Sequence, residues 1–171
     1  MKKLVLMLLM CAPLTMLAQT STPKFGHVNT QAIIAELPEF IKARGELEAQ
    51  SKQYDNDLKA MQDEIQRKSD EYDKTRSTMN ETKRAETETA LNQLMQKYQQ
   101  AFQDNQQALQ KAQQEKLQPI MTKVSTAIQN VGKNGGYIYI MDTSSGIPYI
   151  SQTLSTDVTE DVKKEMNKTQ Q

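Results

Sequence analysis

Eighty consecutive residues, Glu39 to Gln118, contain no proline and a single glycine, Gly45. Apolar residues recur along this run at heptad spacing, which predicts long α-helix. One continuous helix of this length would extend roughly 120 Å, and a hairpin folded at its midpoint roughly 60 Å. A compact domain of this chain's size has a radius of gyration of only about 15 Å. The run must therefore project from the rest of the protein as a helical arm.

The heptad pattern occurs twice, which indicates an antiparallel helical hairpin. The first apolar seam contains Phe40, Leu47, Tyr54, Leu58, Met61, Ile65, Tyr72 and Met79. The second contains Leu91, Met95, Tyr98, Phe102, Leu109 and Ala112. The stretch between them, 76–90, is mostly polar, so we expect the tip of the arm here, with the turn near Ser77 to Glu81.

The segments on either side of the arm predict a small α/β unit. The expected elements are a strand at Lys24–Asn29, a short helix at Thr30–Leu37 capped by Thr30 or Asn29, a helix face from Ile120 to Val131, strands at Tyr137–Met141 and Ile147–Ile150, and an amphipathic helix at Asp157–Asn167. Asn134, Gly135 and Gly136 form a clear stop for the helix before the first of these strands. The fold class is thus mainly α with a small β core.

The first eighteen residues are typical of an export signal. Lys2 and Lys3 precede an apolar run, and Ala18 is a small residue suited to cleavage before Gln19. A membrane anchor is an alternative, but the run is shorter than the roughly 20 residues that span a bilayer. A lipoprotein signal ending at Cys11 is a second alternative, which the bulky Met10 disfavours. We therefore predict an exported protein with cleavage after Ala18.

Composition excludes several classes of function. Removing Lys2 and Lys3 with the signal leaves 19 basic and 21 acidic residues, so neither nucleic acid nor an anionic membrane is the implied partner. The single cysteine, Cys11, leaves with the same segment. His27 is the only histidine, and the sequence shows neither a glycine-rich phosphate loop nor a His/Cys cluster for a metal. We therefore predict no enzyme activity, no catalytic residue, no metal and no cofactor.

The flanking blocks resemble the OmpH/Skp family of periplasmic outer-membrane-protein chaperones. Three segments carry this resemblance: VNTQAIIAELPEF at 28–40, PIMTKVSTAIQNVGKNGGYIYIMD at 119–142 and DVTEDVKKEM at 157–166. It implies a homotrimer in which the strands of three subunits share a β core and three hairpins surround a cavity. It also implies binding of unfolded outer-membrane proteins in that cavity without ATP.

The resemblance and the patterning together divide the chain into three parts: the signal at 1–18, an association base at 19–38 and 119–171, and the arm at 39–118. A base of this size offers a marginal core and exposed strand edges, so self-association is expected. We predict that Val28, Ile138, Ile140 and Ile147 form the oligomer core. We predict that client contacts on the arm come from Tyr54, Met61, Tyr72, Met79, Met95 and Tyr98, because methionine-rich surfaces adapt to varied partners.

One alternative function and one possible partner stay open at this point. The chain could be an exported structural coiled-coil spacer or envelope tether, which would explain the signal and the seam but not the strands at both ends. The arm is also nearly neutral, whereas the best-known family members have strongly basic arms. This difference leaves contact with membrane or lipopolysaccharide undecided.

Overall fold

The computed structural model describes residues 22–168, and the predicted signal at 1–18 lies outside this range. The elements in chain order are β1 (Lys24–Val28), α1 (Thr30–Glu36), α2 (Pro38–Thr75), α3 (Glu81–Gly135), β2 (Tyr137–Asp142), β3 (Ser155–Asp157) and α4 (Thr159–Lys168), with a short 3-10 turn at Thr143–Ser145. The predicted fold class, a long helical arm on a small α/β base, is confirmed.

Helices α2 and α3 form the antiparallel hairpin. With 38 and 55 residues, they extend about 57 Å and about 82 Å. Pro38 occupies the first turn of α2, where its missing N–H costs nothing because that N–H would have no partner within the helix. Helix α3 runs through Pro119 without ending, so the returning limb of the arm and the central helix of the base are one element.

Helix α3 ends where the sequence predicted. Gly136 adopts a left-handed conformation with φ 67°, and its N–H bonds the carbonyls of Gly132 and Lys133. Residues other than glycine rarely adopt this backbone conformation. The glycine therefore turns the chain directly from the long helix into β2.

The base contains a three-stranded sheet in the order β2-β1-β3, with both outer strands parallel to β1. Lys24 pairs with Tyr137 and Phe25 with Tyr139, so Ile138 is an extra residue in β2. A bulge of this kind reverses the alternation of side chains. As a result, Tyr137 and Ile140 both pack against the core, whereas the side chain of Ile138 is 64% exposed.

The core of the base lies between one face of this sheet and helices α1, α3 and α4. Its buried members are Val28, Ile33, Val124, Ala127, Val158, Val162 and Met166. Full burial of one such aliphatic side chain contributes about 1.5–3 kcal/mol. Val28, predicted for contacts between subunits, is enclosed by the subunit's own helices at 1% exposure.

One predicted strand is wrong. Residues 147–150 form no strand, and the third strand is Ser155–Asp157. Pro148 has no N–H to donate to a ladder, which explains why the apolar pattern around it was misleading. The last helix begins at Thr159 and not at Asp157 as predicted, because Asp157 belongs to β3. The Asp157 carboxylate accepts hydrogen bonds from the Thr159 N–H (2.9 Å) and hydroxyl (2.6 Å).

Candidate functional site: the arm and the open face of the base

The hairpin seam is formed by buried and half-buried side chains from both limbs. From α2 it takes most of the predicted residues, among them Leu47, Leu58 and Ile65. From α3 it takes residues alternately three and four apart: Leu91, Leu94, Tyr98, Ala101, Asn105, Ala108 and Ala112. The α3 seam is thus rich in alanine, which brings the two helices close together but buries little apolar surface.

The assignment of Met95 and Phe102 to this seam is wrong. Leu94 and Ala101 occupy the seam positions, and the adjacent heptad position places Met95 and Phe102 on its flank, where they are 43% and 45% exposed. Leu109 continues this flank as a half-buried residue. Phe102 was not among the predicted client contacts, although the register of Leu91, Leu94 and Tyr98 indicates its exposure.

The other predicted contact residues of the arm lie in the seam. Tyr54, Met61, Tyr72, Met79 and Tyr98 are all half-buried between the limbs. The hydroxyl of Tyr54 accepts a hydrogen bond from the Gln50 amide (2.9 Å). Of the six predicted residues, Met95 is therefore the most exposed.

The tip is a short turn fixed by the returning helix. Helix α2 ends at Thr75 and α3 begins at Glu81, capped by the side chain of Asn80, which accepts from the Lys83 N–H. The guanidinium of Arg84 donates to the carbonyls of Arg76 (3.3 Å) and Met79 (3.4 Å). The predicted turn near 77–81 therefore agrees with the observed one.

Polar contacts also join the two limbs. Near the tip, Tyr72 donates to the Glu88 carboxylate, and this hydrogen bond raises the pKa of Tyr72. Near the base, Lys116 bonds Glu46 at 2.5 Å, and this hydrogen bond lowers the pKa of the Glu46 carboxyl. Lys123 pairs with Glu39 at 2.8 Å. These contacts fix the register of the hairpin at both ends.

The base leaves the second face of its sheet open. Phe25 and Tyr139 lie side by side there, with ring centroids 4.9 Å apart, and Met141 is 48% exposed next to them. The segment that follows β2 contributes Tyr149 and Leu154, which are 78% and 76% exposed. These residues, with Ile147, line a shallow cavity of about 350 Å³. Because contiguous exposed apolar surface is common at interaction sites, this face is a candidate for one.

Polar side chains on β1 and β2 form hydrogen bonds with neighbouring elements of the base. The Nδ1 atom of His27 lies 2.8 Å from the Ser155 hydroxyl. Burial raises the pKa of Asp142, but hydrogen bonds from Thr30 and Ser144 outweigh this effect and lower it overall. Across residues 22–168, no group of three or more histidine, cysteine or acidic side chains has a geometry suited to a metal ion. Within the same range, no helix combines the length and apolar character needed to span a membrane.

The family model described as "OmpH: Outer membrane protein (OmpH-like)" matches residues 24–166. This range contains both limbs of the arm, the sheet and the core of α4. The chain belongs to the OmpH-like family. No curated protein matches it.

A solved structure has the same fold as this OmpH-like chain. It is described as a candidate outer membrane chaperone (OmpH-like) from Caulobacter crescentus CB15. The TM-score is 0.70 at 14% sequence identity, and the alignment covers 86% of this chain and 85% of that chain. The two chains therefore share their overall fold at low sequence identity.

Proposed function

We propose that this OmpH-like protein is an ATP-independent periplasmic holdase that binds unfolded outer-membrane β-barrel precursors and prevents their aggregation. The observation that carries the proposal is an arm on which Met95 and Phe102 are exposed outside the hairpin seam, combined with a base whose open sheet face is apolar. The family match and the chaperone description of the Caulobacter structure support it. An export signal cleaved after Ala18 would deliver the protein to its clients.

The client class follows from chemistry. Strands of an outer-membrane barrel alternate apolar and polar residues, and the apolar band faces water before insertion. Such chains aggregate unless their apolar side chains are covered. A long arm offers many weak contacts, so it shields a client without one dominant site that would prevent release. This function needs no cofactor and no catalytic residue.

The proposal includes self-association through the open face of the base. Covering Phe25, Tyr139 and Met141 with the same face of other subunits would remove apolar surface from water, at about 25 cal/mol per Å². The free edge of β2, including the exposed Ile138, lies next to this face. Three subunits would direct three arms around a shared cavity, as the family resemblance implies.

The direct test uses purified mature protein and a urea-unfolded outer-membrane β-barrel diluted into buffer without nucleotide. We expect light scattering from the aggregating client to disappear at about stoichiometric amounts of protein. Unchanged aggregation at a several-fold excess would refute the holdase proposal and favour a structural spacer or tether. Deletion of the tip, residues 76–90, should leave most of the protection intact, because the limbs rather than the tip surround the client.

A further inference from the structure

The two limbs of the arm have different outer surfaces. On α2, exposed outer positions between Lys52 and Lys74 carry charges of both signs, including Lys59, Asp63 and Arg67. On α3, eleven positions between Asn92 and Gln114 face away from the seam and do not flank it. All eleven are asparagine or glutamine, and all are exposed. The arm therefore has a charged side and a side that is polar but without charge.

The uncharged side is continuous with the apolar flank. Met95, Phe102 and Leu109 each precede an exposed glutamine by four residues, which places the two side chains next to each other on the helix surface. The charges of this part of α3, Lys97, Asp104 and Lys111, recur every seven residues along the opposite flank of the seam. Charge is thus confined to one edge of α3, and the apolar residues to the other.

We propose that this carboxamide face of α3, from Asn92 to Gln114 with its apolar flank, is the surface that holds the client, and that it recognises extended polypeptide with unpaired backbone groups. The inference rests on the proposed holdase function and specifies where and how the client is bound. A glutamine side chain both donates and accepts, so it matches the N–H and C=O groups of an extended chain. Met95 and Phe102 cover alternate apolar side chains of the same segment.

The absence of charge on this face of the described helix also determines which clients fit. A charged group on the client would find no counter-ion among the carboxamides, so clients with positive and with negative charge should bind alike. Binding should therefore depend weakly on ionic strength, because salt screens interactions between charges and not hydrogen bonds or apolar contacts. A capture mechanism based on a basic arm would show the opposite behaviour.

The test compares two variants that add the same charge to the two sides of the arm. The first carries Gln99→Glu, Gln103→Glu, Gln106→Glu and Gln110→Glu on α3. The matched control carries Ala49→Glu, Lys52→Gln, Asn56→Glu and Ala60→Glu on the outer side of α2, which gives the same total change in charge at exposed side chains. Glutamate is as good a helix former as glutamine, so circular dichroism should show folded arms in both variants.

The readout is the protein concentration that halves the aggregation of a urea-unfolded outer-membrane β-barrel. A carboxylate accepts but cannot donate, so we expect the α3 variant to need about tenfold more protein, while the α2 control matches the unaltered protein. The unaltered protein should give the same value in low and high salt. If both variants protect normally, if both lose protection equally, or if only the α2 variant loses it, the inference is wrong.

A second measurement remains decisive even if the α3 variant does not fold. A photo-crosslinking amino acid at Gln103 should capture the unfolded barrel, and the same group at Ala60 should capture little. Equal capture at both positions, or capture at Ala60 alone, would contradict the inference. If the unaltered protein fails to suppress aggregation at all, the failure lies in the proposed function and not in the location of its binding face.

Discussion

Replacing Met95 and Phe102 by glutamine should weaken client protection strongly while leaving the helices in place. The two side chains are 43% and 45% exposed, and full side chains of these types have about 200 Å² each, so about 170 Å² of apolar surface is available to a client. At about 25 cal/mol per Å² this surface contributes at most about 4 kcal/mol. A client that covers half of it would lose about 2 kcal/mol, or about 30-fold in affinity.

The assay is suppression of light scattering from an unfolded outer-membrane β-barrel, titrated with the double variant Met95→Gln/Phe102→Gln. Because both side chains are also partly buried, we expect the variant to lose about 1–2 kcal/mol of unfolding free energy, measured by circular dichroism. The control is Ile41→Gln/Met121→Gln, which removes two side chains that are 59% and 49% exposed near the base of the arm.

The control should protect the client as well as the unaltered protein does. Full protection by Met95→Gln/Phe102→Gln would refute the reasoning, because the exposed flank would then contribute nothing to binding. An equal loss in the control would also refute it, since exposed apolar area anywhere on the arm would then be sufficient.

Three predictions concern stability, each measured by thermal and urea unfolding. Gly45→Ala should raise the unfolding free energy by about 1 kcal/mol, because the helical site has open space around an added Cβ; a loss would show an unrecognised contact. Gly136→Ala should lower it by about 1 kcal/mol, because φ is 67° there; an unchanged value would mean that the helix end relaxes freely. Asp142→Asn should destabilise the base at neutral pH, because the pKa of Asp142 is lowered from 3.8 in the folded protein. The carboxylate's contribution is complete above 3.8 and is lost as pH falls through the lower folded pKa, so the two proteins should converge in acid; a constant difference down to low pH would contradict this.

The sequence predicted those features that rest on periodicity and on strong stop signals. A long run without proline and with two heptad seams determined the hairpin, because no compact arrangement accommodates so much amphipathic helix. Gly136 ended α3 as expected, and the polar stretch after Thr75 gave the turn. These features depend on local backbone preferences, which a single sequence displays directly.

The remaining features depend on choices between neighbouring apolar positions. Leu94 and Met95 are adjacent, and only the packing of α3 on α2 decides that Leu94 enters the seam while Met95 stays on its flank. In the base, the bulge at Ile138 turns that side chain outward, against the simple alternation of a strand. Residues 147–150 were sufficiently apolar for a strand, but Pro148 lies among them and the short polar segment Ser155–Asp157 pairs with β1 instead.

We propose that the bases associate and direct their arms around a client. Light scattering of the purified mature protein measures this association, and small-angle scattering measures the shape of the particle. We predict an elongated particle with three times the mass of one chain. When an unfolded β-barrel is bound, the particle should keep its outer dimensions while the space between the arms becomes filled. A monomer at every concentration tested would contradict the account, because a single arm encloses nothing and the open face of the base would then need another partner.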